Sequence, residues 1–136
     1  MNRIIYALPE TYAICRLEPD ADIPEWAMSG GFFSVTRTDD ELSIICNEEV
    51  IPNDTDATVE PGWRALKLVG PIPFDVTGVI ASLTKPLAEA GISVSVIATY
   101  DTDYLFVKND RLPDAIEALK SAGFKVGIAA RLAKSN

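Results

Sequence analysis

Apolar and polar positions follow a strand period and a helical period in turn between residues 63 and 130. Residues 63–69 alternate as a strand, with Leu66 and Leu68 on one face. A helix is predicted next, because apolar side chains recur at helical spacing: Val76, Val79, Ile80, Leu83, Leu87 and Ala90. Asp75 is the predicted N-cap, and Gly91 is the predicted end. Pro86 lies inside this run and predicts a kink near Ser82 or a new turn.

The pattern after this helix predicts two strands, a second helix and a last strand. Their predicted ranges are 93–99, 104–107, 112–122 and 124–128. The order strand, helix, strand, strand, helix, strand is typical of an α+β, ferredoxin-like fold, whose antiparallel sheet carries both helices on one face. We expect the main core to contain Leu66, Leu68, Val79, Ile80, Leu83, Val94, Val96, Leu105, Val107, Ile116, Leu119, Val126 and Ile128.

The N-terminal half reads as a degenerate copy of this unit. It predicts a strand at 12–18, a short helix at 23–28 and a hairpin of 32–37 with 42–46. Residues 53–62 are rich in turn formers, so a loop and linker replace a second long helix. The apolar patch at 4–8 is a candidate edge strand. We therefore predict two tandem domains, residues 1–61 and residues 62–136.

Composition narrows the classes of function. Apolar residues make up 48% of the 136 residues, and the net charge is -8. A chain with this negative charge is repelled by nucleic acid and by anionic membranes, and neither is an expected partner. Histidine is absent, which removes Ser-His-Asp and Cys-His catalysis and the usual zinc and haem ligands. Two distant cysteines predict buried free thiols, and the patch at 4–8 is too short for a signal peptide, so a cytoplasmic protein is the simplest interpretation.

Several segments resemble a known family. The C-terminal half contains GPIPF at 70–74, TGVIASL at 77–83, LAEAGI at 87–92 and ATYDTDYLFV at 98–107. These resemble the ACT domains of the CASTOR-like arginine sensors, a pattern also carried by small bacterial proteins, and FSVTRTDDELSI at 33–44 resembles their N-terminal ACT segment. The resemblance implies tandem βαββαβ units that bind small effectors, commonly amino acids, at interfaces between ACT units. It also implies regulation of a separate partner.

Two groups of residues are candidates for the ligand site. Amide donors near Thr77, Gly78 and Val79, at the start of a helix, suit a carboxylate. Asp101 and Asp103 suit an ammonium or a guanidinium. The alternatives stay open: Gly78 for helix packing, and the aspartates for turn chemistry. The resemblance adds Thr99 in the same segment.

Further candidates come from the hairpin of the N-terminal half. By the resemblance, Thr36, Glu41 and Ser43 line a ligand site between the two halves. The alternative is a solvated hairpin tip. An EF-hand calcium loop is disfavoured, because its further oxygen ligands and its glycine are missing.

These observations favour a non-catalytic regulatory or sensor protein with a free amino acid as ligand, no cofactor and no metal. A regulated partner protein and a homodimer are expected. The first alternative is a dimerising scaffold for protein interaction without a small ligand. The second is a small carboxylate-dependent enzyme, for which no constellation of acids stands out.

Overall fold

The computed structural model describes residues 3–129. The chain forms two compact units: the larger comprises the residues up to Pro9 and those from Arg64 onward, and the smaller is Glu10–Trp63. The predicted domains differ from these units, since residues 1–61 were assigned to one domain. Positions 1–2 and 130–136 of those domains lie outside the described residues.

The elements follow the predicted order, except that one continuous strand replaces the separate segments predicted at 4–8 and 12–18. In chain order they are β1 (Ile4–Leu17), a 3-10 turn (Glu25–Met28), β2 (Ser34–Arg37), β3 (Leu42–Asn47), a 3-10 turn (Glu48–Val50), β4 (Thr58–Leu68), α1 (Val79–Glu89), β5 (Ser95–Ala98), β6 (Asp103–Lys108), a 3-10 turn (Asn109–Arg111), α2 (Leu112–Ser121) and β7 (Lys125–Ile128). From β4 onward this is the βαββαβ order of a ferredoxin-like fold, which confirms the predicted fold class.

The larger unit has the strand order β7-β1-β4-β6-β5. Ile4 to Ala7 of β1 pair with β7 in parallel, and β5 pairs with β6 antiparallel. The first residues of β1 therefore have a strand on each side, so the prediction of an edge strand at 4–8 was wrong. Ile5 and Ala7 are buried in the core, which explains why this apolar segment enters the sheet.

Both helices pack on the same face of the larger unit's strands. The buried cluster there contains Ile5, Ala7, Leu66, Leu68, Val79, Leu83, Leu87, Ile92, Leu105, Val107, Leu112, Ala115 and Leu119, with Val94, Val96, Ile116 and Val126 partly buried against it. Two predicted core residues were wrong. Ile80 is 43% exposed, because the buried positions of α1 follow Val79 at four-residue steps, and Ile128 is 77% exposed at the residue where the pairing of β7 with β1 ends.

Helix α1 begins later than the sequence predicted. Its N-cap is Gly78 with φ of 77°, not Asp75, and no side chain caps the helix. A left-handed conformation at this position favours glycine, so Gly78 rather than a capping side chain sets the start. Val76 therefore lies before the helix. Pro86 lies within α1, which continues to Glu89.

The smaller unit contains the predicted hairpin. β2 pairs with β3 antiparallel, and β3 pairs with Tyr12 to Leu17 of β1. Its buried cluster includes Ala13, Cys15, Leu17, Ala27, Leu42, Ile44 and Cys46, and both cysteines are free. The predicted linker at 53–62 was partly wrong, because β4 already begins at Thr58. Gly62, with φ of 82°, lets the strand pass through the Pro61-Gly62 turn signal.

Candidate ligand-binding cavity

A turn of residues 99–102 is fixed against the end of β4. The Thr102 hydroxyl donates to the Leu68 carbonyl at 2.7 Å, and the Ile72 amide donates to the Asp101 carbonyl at 2.7 Å. The turn closes on itself through the Thr99 amide, which donates to the Thr102 carbonyl at 2.8 Å. A Cβ on Gly70 would lie 2.6 Å from the Asp101 carbonyl oxygen, so only glycine permits this approach.

A cavity of about 370 Å³ lies between this turn and the start of α1. Four residues of the predicted ligand set line it: Gly78, Val79, Thr99 and Asp103. Its other lining residues are Ile72, Pro73, Phe74, Val76, Ile80, Ala81, Ala98, Tyr100 and Thr102. The sequence placed these segments together only through the family resemblance, since strand order alone does not bring their ends to one place.

The start of α1 presents amide donors to this cavity. The first hydrogen bond of the helix runs from the Ser82 amide to the Gly78 carbonyl at 2.9 Å. The amides of Ile80 and Ala81 therefore have no acceptor among residues 3–129. No acidic residue lies in the first turn, so the positive end of the helix dipole is not neutralised by its own side chains.

Asp103 contributes a carboxylate to the lining of the same cavity. It is only 8% exposed, it is the first residue of β6, and its side chain has no hydrogen bond or ion pair within the part of the chain that the structure describes. Burial raises the pKa of Asp103 above its usual value of 3.8. A ligand cation would supply the hydrogen-bond donor and the opposite charge that stabilise the ionised carboxylate.

Two aromatic rings at the cavity were not predicted from the sequence. The ring centroids of Phe74 and Tyr100 lie 4.8 Å apart at 80°, an edge-to-face pair, although the residues are 74% and 80% exposed. Both also line a second cavity of about 220 Å³, together with Asp101. The signal available in the sequence was an aromatic residue in each of two turn segments, Phe74 in the proline-rich one and Tyr100 in the polar one.

The other predicted ligand residues lie elsewhere. Thr77 directly precedes Gly78 but does not line the larger cavity, and Asp101 lines the smaller one. Thr36 and Ser43 are opposite each other in the β2–β3 pairing of the smaller unit. Glu41, just before β3, accepts at its carbonyl from the Thr38 amide at 2.9 Å. The role of these hairpin residues stays a prediction.

Residues 3–129 contain neither a cluster of metal-ligating side chains nor a helix long and apolar enough to cross a membrane. No cluster of three or more cysteine, aspartate or glutamate side chains there could hold a metal ion. None of the helices in the same range has the length and apolar character needed to cross a bilayer.

Comparison with known families and proteins gives matches across most of the chain. An ACT domain model matches residues 58–121, and a model of an N-terminal domain matches residues 10–54. The cytosolic arginine sensor for mTORC1 subunit 1 of Bos taurus is 33% identical over 110 residues, which is 71% of this chain and 33% of that protein. The human sensor is 33% identical over 95 residues, 65% of this chain and 29% of that protein. This chain therefore spans about a third of the length of these curated relatives.

Solved structures resemble the chain over nearly its full length. A crystal structure of a protein from Agrobacterium tumefaciens is 39% identical, covers 98% of both chains and has a TM-score of 0.88. The regulatory subunit of aspartate kinase from Thermus thermophilus, in its ligand-free form, has a TM-score of 0.66 at 11% identity and covers 88% of this chain and 96% of that chain. At that identity the second similarity concerns the fold alone.

Proposed function

Because this chain belongs to the ACT-domain family and is a CASTOR-like member of it, we propose that it is a regulatory protein that binds a free amino acid. One observation carries the proposal: open helix amides and the carboxylate of Asp103, a residue that is only 8% exposed, line the same cavity. A free amino acid carries a carboxylate and an ammonium on one carbon. It can therefore supply a partner to both groups at once.

The proposed binding mode follows from the local chemistry. The ligand carboxylate accepts hydrogen bonds at the start of α1, near Gly78 and Val79, where the helix dipole favours an anion. The ligand ammonium donates to Asp103, and the Thr99 hydroxyl lies in the same lining. A cavity of about 370 Å³ lies at the low end of the range of small-ligand pockets, about 300–1,000 Å³, which fits a single amino acid rather than a dinucleotide.

Regulation of a separate protein is the second part of the proposal. The relatives from Bos taurus and Homo sapiens are named as cytosolic sensors, and this chain resembles about a third of each. We propose a cytosolic, non-catalytic role in which ligand occupancy changes the binding of a partner. The same proposal includes homodimerisation and a ligand site at an interface between ACT units. It also includes a contribution to that site from Thr36, Glu41 and Ser43.

The test is a thermal-shift screen of the protein against the twenty amino acids. A ligand at about 100 times its dissociation constant should add about 2.7 kcal/mol to the free energy of unfolding. The matched controls are the amide of the best ligand, which lacks the carboxylate charge, and its N-acetyl derivative, which lacks the ammonium charge. Neither should reproduce the shift. If no amino acid stabilises the protein, the scaffold alternative is favoured instead.

Substitution of Gly78 tests the approach of the ligand to the backbone. Gly78→Val should weaken ligand binding at least tenfold, about 1.4 kcal/mol, because the side chain enters a cavity that is open around Gly78. The φ of 77° also makes valine strained there, so some stability will be lost.

Gly91→Val is the matched control for Gly78→Val. Gly91 has φ of 72° just beyond the other end of α1 and equally open surroundings, but it does not line the cavity. Both variants should lose stability, and calorimetric titration should show weakened binding only for Gly78→Val. Equal affinities in the two variants would show that the ligand does not bind next to Gly78.

A further inference from the structure

We propose that the site selects an amino acid with a neutral, apolar side chain over one with a charged side chain. This inference rests on the proposed function, because it concerns the same cavity. It follows from the balance of charges in the lining and from the placement of exposed apolar side chains around it.

The larger cavity contains a single charged side chain. Among its thirteen lining residues no lysine or arginine occurs, and Asp103 is the only acid. The ammonium of a bound amino acid uses this acid, and the helix amides use the ligand carboxylate. A second charge on the ligand would then enter the cavity without a partner, which is costly wherever water is displaced.

Asp101 does not provide the missing second acid. It is an exposed residue in the turn of residues 99–102, and it lines the smaller cavity rather than the larger one. Its carbonyl is engaged by the Ile72 amide at 2.7 Å, which fixes the backbone of the turn in this position. Within its own lining, the larger cavity therefore offers a basic ligand side chain no carboxylate besides Asp103.

Apolar surface is concentrated at the same place. Ten large hydrophobic residues are exposed among the described residues, and four of them line this cavity: Phe74, Val76, Ile80 and Tyr100. Exposed apolar side chains that cluster around a cavity are typical of a binding site. An apolar ligand side chain would cover them, and its transfer from water would add to affinity.

The experiment is calorimetric titration of the protein with leucine, isoleucine, methionine and phenylalanine, and separately with arginine, lysine, aspartate and glutamate. At least one apolar ligand should bind at least tenfold more tightly than every charged one. Tightest binding of a charged amino acid would overturn the inference and leave the proposed function standing. Binding of no amino acid at all would overturn the proposed function itself.

A charge introduced into the lining should change the selectivity in a predictable direction. Val76→Glu adds an acid beside the ligand side chain, so the ratio of leucine affinity to lysine affinity should fall at least tenfold. Val69→Glu is the control, because Val69 is 38% exposed against 36% for Val76 but does not line the cavity. An unchanged ratio in a normally melting Val76→Glu protein would contradict this placement of the ligand side chain.

Discussion

Leu83→Ala should lower the free energy of unfolding by about 2–5 kcal/mol. Leu83 is fully buried in the middle of α1, in the same cluster as Leu66, Leu105 and Leu119. Truncation to alanine removes the transfer free energy of three carbon atoms and leaves a cavity between α1 and the strands. The rigid strands opposite the helix limit how far the core can relax to fill it.

Urea denaturation followed by circular dichroism measures this loss. Lys85→Ala is the control, because Lys85 is an exposed residue of the same helix. Alanine there should change the free energy of unfolding by no more than about 0.5 kcal/mol. Equal midpoints for the two variants would show that the buried face of α1 is assigned wrongly.

The periodicity that identified α1 also shows what a local pattern misses. The helical spacing of apolar side chains correctly placed Val79, Leu83 and Leu87 on the buried face. It wrongly extended that face to Val76, Ile80 and Ala90. Val76 precedes the helix, because the left-handed conformation of Gly78 starts it three residues after Asp75, and Ala90 follows its last residue. Ile80 lies in the helix but beside the four-residue steps of the buried face. The pattern of hydrophobic residues does not indicate which residue adopts a left-handed backbone conformation.

Strand neighbours were harder to predict than strands. The patch at 4–8 was identified as apolar, but its partner β7 lies about 120 residues away in sequence. Nothing local specifies a parallel pairing over that distance, because parallel pairs lack the short turn that marks a hairpin. The β2–β3 hairpin, in contrast, was predicted correctly around Asp39 and Asp40.

The candidate site could be predicted only in part, because a local sequence pattern does not determine which polar residues become buried. Asp101 and Asp103 look equivalent in sequence, each a polar residue near a strand end. The structure separates them, since Asp101 lies exposed in the turn and Asp103 is buried as the first residue of β6. The burial of Asp103 depends on the loop of residues 70–78 and on the hydrogen bond from the Ile72 amide to the Asp101 carbonyl. No local sequence pattern encodes this contact.

An unpartnered buried acid also links binding to stability. Without ligand, the ionised form of Asp103 is disfavoured by burial, which raises its pKa. In the proposed binding mode a ligand ammonium offsets that penalty, so the free energy of unfolding should rise with the amino acid concentration.

Asp103→Asn should separate affinity from stability. Asparagine has nearly the same shape but no charge, so ligand binding should weaken by at least tenfold, about 1.4 kcal/mol. A loss of about 1.5–3 kcal/mol is typical of a hydrogen bond to a charged group. The ligand-free variant should unfold at the same or a higher urea concentration than the parent, because a buried charge without a partner has been removed. Reduced ligand-free stability would instead indicate a structural role for the carboxylate.

The pH dependence of Asp103→Asn completes the test. In the parent protein, the raised pKa of Asp103 means that the folded state keeps a proton that the unfolded chain has lost, so ligand-free stability should fall as the pH rises from about 3.8 through the raised value. Affinity should rise over the same interval, because the ligand ammonium pairs with the ionised carboxylate. Calorimetric titration across that interval, minus the profile of the asparagine variant, isolates this contribution from the ligand's own titration. Identical profiles for the two proteins would exclude Asp103 as the acceptor of the ammonium.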